Sequence, residues 1–220
     1  MTLSRKLTMS LEYNVLHDHD LPMVFIGDTF HNHSLYNHFK KIRPCQHIRL
    51  EETTDKDDTW FLSNQCIAIV TNVKFKKTIA DHLINRPVKW FSVIGKSNVL
   101  YHNINIGYNT LVNHFNVIYD DAVIGNHCTI TNHLSISHEV QINDFCHISP
   151  FTYLCFTNVG TGCVVGVRSS FPGKPESPIT LPNWTNISMD SRVTKSLEIS
   201  GTYCGNRLFD RSTSLDKKIL

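Results

Sequence analysis

No run of like charge marks this chain. Its 21 Lys and Arg against 19 Asp and Glu leave a formal net charge of +2, which argues against nucleic acid as the main partner and still suits a phosphorylated ligand. It has no apolar stretch of the roughly 18 residues that a membrane-spanning helix needs, and no basic-then-apolar secretory start. A cytoplasmic protein with no membrane partner is therefore expected. The seven cysteines (Cys45, Cys66, Cys128, Cys146, Cys155, Cys163, Cys204) contain no CxxC pair and are odd in number. Reduced, mostly buried thiols follow, rather than a disulfide framework, and the sequons at Asn183 and Asn186 carry no meaning in that compartment.

What the sequence does have is a period. From Ile94 every sixth residue is aliphatic: Ile94, Leu100, Ile106, Val112, Ile118, Ile124, Ile130, Ile136, Ile142, Ile148, Leu154. With about a third of positions aliphatic, such a series would arise by accident in far fewer than about one sequence in a thousand. A helix repeats at about 3.6 residues and a strand at 2. The period of six fits a hexapeptide-repeat β-helix, in which three short flat sides complete one coil. A second inward row follows four residues behind the first: Thr110, Ala122, Cys128, Leu134, Val140, Cys146, Thr152. Gly107, Gly125 and Asn143 each follow an aliphatic position and are expected to take the left-handed backbone at the corners. Residues 18 apart, such as Cys128 and Cys146, should lie one above the other. After Leu154 the period slips by one, to Val159 and Val165. Residues 171–178 (FPGKPESP) should loop outward, and the sixes return at Leu181, Ile187, Val193 and Ile199.

Ahead of the repeats, strand and helix alternate. Residues 22–27 (PMVFIG) read as a buried strand, 34–41 as a short helix, 47–50 as a strand ending at Glu51-Glu52, 65–71 (QCIAIVT) as a strand, 72–84 as a helix with Phe75, Ile79 and Leu83 facing inward, and 88–94 as a closing strand. This is the pattern of a small parallel α/β domain, whose ligands sit at the carboxyl ends of the strands. The expected organisation is an arm or extra strand at 1–21, the α/β domain at 22–93, the β-helix at 94–206 and a capping tail at 207–220.

Of the 13 histidines, His138 stands out. It lies two residues after an interior isoleucine, beside Glu139, where an imidazole would point outward and a carboxylate could keep it basic. The segment His138-Glu139-Val140-Gln141-Ile142-Asn143-Asp144-Phe145-Cys146-His147-Ile148 resembles the H-[DE]-x-x-I-G-[DE]-F-x-H-[IV] run of nucleotide-sugar and sialic-acid acetyltransferases of the left-handed β-helix class. The bacterial 4-amino-sugar N-acetyltransferases are the most similar subgroup. The Gly27-x-x-x-His31 turn, the IAI strand leading into TNVKFKK, and RVTKSLEISGTYCGNR near the end extend the resemblance over about residues 22–207.

The resemblance implies a Rossmann-like α/β domain followed by a left-handed parallel β-helix. It implies a homotrimer with active sites between subunits, acetyl-CoA as co-substrate, and no metal. His138 would take the proton of the acceptor amine and Glu139 would hold the imidazole. His147 would touch acetyl-CoA near the thioester, Gly166 and Val167 would line the pantetheine arm, and Lys195 would meet CoA phosphates. The nucleotide-sugar would contact Gly27, Thr29, His31, Glu51, Glu52 and Thr71. The acceptor would be a nucleotide-linked 4-amino-4,6-dideoxysugar, acetylated for a surface glycan. The chain departs from the family pattern at Phe30 and Val70, where glycines are usual, and at Thr131, where asparagine is common.

Three other readings stay open. The same base could serve an O-acetyltransferase of sialic acid or a related sugar. A γ-carbonic-anhydrase-like zinc enzyme would draw ligands from His133 and His138 with His102 or His114. A solenoid can also serve only as an assembly module.

Overall fold

In a computed structural model, the described residues are 13–16 and 210 downward to 21. The N-terminal arm apart from 13–16, and the tail beyond 210, lie outside them. Two bodies of structure share one chain.

The first is a four-stranded parallel sheet, built from β2 (Met23–Ile26), β3 (Cys45–Ile48), β4 (Gln65–Ile67) and β5 (Lys89–Trp90) in the order β3-β2-β4-β5. Between them run α1 (Phe30–Phe39), α2 (Asp58–Leu62) and α3 (Val73–His82). β1 (Tyr13–Leu16) stands outside this sheet and pairs antiparallel with β6 (Ser92–Gly95) of the second body.

Several local expectations shift. α1 starts four residues earlier than its hydrophobic pattern suggests, because Thr29 caps it and accepts from the Asn32 N–H at 3.2 Å; Phe30 and His31 therefore stand in its first turn and not in a loop. Asn72 caps α3 by accepting from Lys74 and Phe75. α3 is rotated from its expected phase: Val73, Lys76 and Ile79 are buried and Phe75 is exposed. Glu51-Glu52 begin a 3-10 turn, and Asp57 caps α2, which the polar composition of its segment concealed. The expected strand at 88–94 divides at Phe91, β5 staying with the α/β sheet and β6 opening the repeats.

The second body is a parallel β-helix, consistent with the left-handed coil expected. From Val99 to Cys204 its strands are two or three residues long, and they stack into three sheets, one of nine strands, which β1 and β6 join, and two of five. Partners lie 18 residues apart, as in Val117↔Ser135, Val123↔Gln141 and Thr129↔His147. Both aliphatic rows fill the interior, and Ile118 through Leu154 of the first are essentially inaccessible. Leu100 is exposed, because its strand has a neighbour on one side only. After the slip, Ile142 pairs with Val159. Phe171 and Pro172 belong to a strand beside Leu154, so the outward loop is narrower than the proline-rich segment. Ile199 is exposed, and Leu197 and Tyr203 close the core in its place.

The corners correct a second expectation. The left-handed positions fall three residues after each aliphatic one, at Asn103, Asn109, Phe115, Asp121, His127, His133, Glu139, Phe145 and Phe151, with φ between 50° and 63°. Bulky side chains seldom adopt this conformation. Here stacking supports it: His133 lies between Phe115 and Phe151 with centroids 5.1 Å apart, and His127 stacks on Phe145 at 4.8 Å. Gly107 and Gly125 have a different reason to be glycine. A Cβ on Gly125 would come within 2.5 Å of Asp144 Oδ1 and 2.8 Å of the backbone of the next coil, where Asp144 accepts from the Asn126 N–H at 2.7 Å. Gly125→Ala is therefore expected to destabilise by about 1–3 kcal/mol through overpacking, read as a lower urea midpoint at unchanged m-value.

All seven cysteines are free thiols. Burial pushes the Cys66 thiol up to about 12 and holds Cys128 and Cys146, stacked as expected, well above the usual range. Among the described residues no helix is long and apolar enough to cross a membrane.

Candidate active site

The turn after β2 is built by Gly27 and Asn32. Gly27 takes φ +95°, open to glycine and strained for other residues. The fully buried Asn32 donates to the carbonyls of Ile26 at 2.6 Å and Gly27 at 3.0 Å and accepts from the Ile69 N–H at 2.9 Å. Thr29 donates to the Ile69 carbonyl at 2.6 Å. These bonds tie the carboxyl ends of β2 and β4 together and set His31 on the first turn of α1. Thr71, just ahead of the cap of α3, is exposed, as are Glu51 and Glu52; Glu52 accepts from the Arg49 N–H at 3.3 Å.

His147 begins the strand that continues the β6 side of the coil. α3 packs across this side and places Lys76, only 3% exposed, so that its Nζ donates to the Cys146 carbonyl at 3.0 Å. Lysine is rarely buried unpaired, and here one neutral carbonyl is its hydrogen-bond partner. Burial, reinforced by the Lys76 charge, lowers the His31 pKa, and it lowers His147 to about 3, with Lys76 and His31 adding to the effect. His147 is therefore neutral at physiological pH, and its buried Nδ1 has no hydrogen-bond partner. His31 and His147, assigned to different ligands by sequence, thus both lie within electrostatic reach of Lys76. Lys76 itself escaped the sequence reading, because a lysine in a charged amphipathic helix reads as a solvated one.

Burial pulls Lys76 down to about 8 from the ordinary 10.5. Between those values the unfolded chain binds more protons than the folded one, so stability rises with pH across that window, by up to about 3 kcal/mol. Lys76→Met is expected to remove this rise and to be more stable than the wild type below pH 8; urea melts of both proteins at pH 7 and 10 measure the difference.

His138 is elsewhere. It sits at the corner between the second and third sides of the coil, opposite the side that carries His147. It is exposed, with its ring 5.3 Å from that of Tyr119 and 6.1 Å from Phe156. No hydrogen bond or ion pair joins it to Glu139 among the described residues. Glu139 is the left-handed residue of that corner, φ +50°, a conformation every coil repeats. The carboxylate one coil below His138 is Asp120, which accepts from the N–H and Nδ1 of His102 at 2.7 and 3.2 Å. Those bonds, and to a lesser degree the His138 charge, hold the Asp120 carboxyl below its usual range. The 18-residue stacking rule would have found it.

Gly166 and Val167 lie half-buried at the next corner of the β6 side, and Lys195 is exposed. The glycine at 166 has a packing reason, since a Cβ would meet the Met189 nitrogen at 2.5 Å. A cavity of about 680 Å³ opens between the end of α3 and the His127 corner, lined by Arg86, Lys89, Trp90, Tyr108, Asp144 and Phe145 among others. None of the sequence-predicted site residues lines it.

An α/β sheet leading into a triangular parallel β-helix is an architecture that solved acetyltransferases possess. The chain is similar to the acetyltransferase domain of PglB from Neisseria gonorrhoeae FA1090 in complex with acetyl coenzyme A, at 14% identity and TM-score 0.72 over 84% of this chain and 96% of that one. It is similar to WeeI from Acinetobacter baumannii AYE, at 15% and 0.71 over 84% and 97%. It also resembles a histidine-to-asparagine variant of perosamine N-acetyltransferase from Caulobacter crescentus in complex with CoA and GDP-perosamine, at 14% and 0.64 over 86% and 96%. At these identities the likeness is one of fold. No protein-family model and no curated protein matches the chain.

Proposed function

We propose that the chain is an acetyl-CoA-dependent sugar N-acetyltransferase of the cytoplasm, acting on the 4-amino group of a nucleotide-linked 4-amino-4,6-dideoxysugar with His138 as general base. The observation that carries this reading is the placement of His138, free and exposed on an edge of a β-helix whose fold solved acetyltransferases share. The complex with acetyl coenzyme A and the complex with CoA and GDP-perosamine are the neighbours that favour this donor and this acceptor class.

In the reaction the acceptor nitrogen attacks the thioester carbonyl, a C–N bond forms, the C–S bond breaks, and CoA leaves as a thiolate that takes up a proton. His138 removes the proton from the attacking nitrogen. His147, neutral in its buried setting, is suited to donate from its imidazole to the thioester oxygen as negative charge develops there. Since His138 and His147 face opposite ways within one chain, a common site needs a second copy, and a homotrimer with the site between neighbours supplies one. The N-terminal sheet then holds the nucleotide-sugar at its carboxyl ends, with Gly27, Thr29, His31 and Thr71 at the turn and Glu51 and Glu52 further out. Gly166, Val167 and Lys195 flank the CoA arm. Asp120 joins Glu139 as a carboxylate that stabilises the imidazolium.

Acetylated product treated with alkaline hydroxylamine tests the bond formed. An amide survives, as this reading expects. A product that loses its acetyl group is an ester, and the acceptor is then a hydroxyl.

A further inference from the structure

The carboxyl end of β2 gathers three side chains that the acetyl-transfer reading does not use. Asp28 follows Gly27, His33 stands one turn into α1, and His47 comes from the adjacent β3. One ligand atom from each lies within 4.8 Å of the other two. His33 Nε2 is 2.5 Å from Asp28 Oδ1, and the His33 and His47 ring centroids are 4.3 Å apart. We propose that Asp28, His33 and His47 form a binding site for one divalent first-row transition-metal ion, zinc by preference, with its remaining coordination positions open to solvent.

The chemistry of the donor set points this way. Two imidazoles and one carboxylate suit zinc and its neighbours and are a poor set for calcium or magnesium, which take oxygen ligands. The three donors come from a turn, a helix and a strand, so the fold and not a flexible loop brings them together. His47 also has the outer contact typical of a metal-bound histidine: its Nε2 donates to the Gly27 carbonyl at 3.0 Å, which fixes the tautomer and leaves Nδ1 as the lone-pair nitrogen. Binding would replace the proton between His33 and Asp28 with the ion and release it to solvent.

His33 and Asp28 keep half or more of their side-chain surface exposed, at 50% and 64%, so the ion would be reachable and incompletely wrapped. A site with three protein ligands and free positions differs from a closed structural zinc. It stands where open α/β sheets receive ligands, near Arg49, whose charge also acts on Asp28. An anionic oxygen is the ligand class that the open positions and Arg49 would favour together.

The test uses the full chain, freed of metal by a chelator and then titrated with zinc chloride by calorimetry, with cobalt(II) absorption as a second readout. One zinc per chain is expected, weakened at least about tenfold in both Asp28→Ala and His47→Ala, with the cobalt visible bands lost in each variant. Thermal melts check that these exposed-site variants fold. No zinc uptake by the wild type, or uptake unchanged in folded variants, overturns the assignment. Because zinc uptake is measured without acetyl-CoA or sugar, its failure leaves the acetyltransferase reading untouched, and the reverse also holds.

Discussion

Replacing His138 with alanine is expected to lower kcat for acetyl transfer by about 10²–10⁴, the range for loss of a positioned general base, with little change in stability. The corner itself separates the two effects. The coil needs no histidine at 138: the side chain is exposed, meets Tyr119 and Phe156 only through tilted rings, and makes no side-chain hydrogen bond among the described residues. Removing it should leave the melt unaltered, since exposed substitutions of this kind usually change stability by no more than about 0.5 kcal/mol. A large fall in kcat with KM nearly constant identifies a group used in the transition state. Asp120 gives a graded companion. Asp120→Asn, one coil beneath, should reduce kcat by a smaller factor with KM nearly constant, because a carboxylate that stabilises the developing positive charge has gone. A purely structural role for Asp120 would lower stability and leave kcat where it was.

Ile142→Ala should have the largest effect on stability, a loss of about 2–5 kcal/mol. Ile142 is 1% exposed in the middle of the stack, pairing with Ile124 below and Val159 above. Neighbouring coils are held in place by backbone hydrogen bonds on three sides, so the interior can close over the lost atoms only in part, and a cavity remains. Because each coil of a solenoid contacts only its neighbours, the defect would fall on the coil that carries His138 and the next. A urea midpoint lowered accordingly is the measure. A change under about 1 kcal/mol would contradict the packing described.

The period of six was legible because it is a property of the coil itself: each side contributes one inward aliphatic residue, whatever faces outward. The α/β alternation was legible for a similar reason, with Met23–Ile26 and Gln65–Ile67 buried on both faces. The corners were not. Left-handed backbone at Phe115, His127, His133, Phe145 and Phe151 contradicts local preference; it belongs to the corner geometry that Asn103, Asp121 and Glu139 share, and ring stacking between coils supports the bulky residues there, which no single hexad encodes. Phe75 and Lys76 exchanged their expected roles because α3 docks on the coil at Cys146, a tertiary contact that overrides hydropathy. The His138 motif was readable as a string. That His147 lies on the side of the coil opposite that corner, within electrostatic reach of His31, required the triangular cross-section.

The proposed reaction is acetyl transfer to a nucleotide-linked amino sugar. Thiol release from acetyl-CoA, followed with an Ellman-type reagent across UDP-, dTDP- and GDP-linked 4-amino-4,6-dideoxysugars and free sialic acid, tests it most directly. Turnover on one of the amino sugars, absent with the other acceptors and collapsed in His138→Ala, is the predicted result. Thiol release with none of the amines, or undiminished without His138, would contradict it.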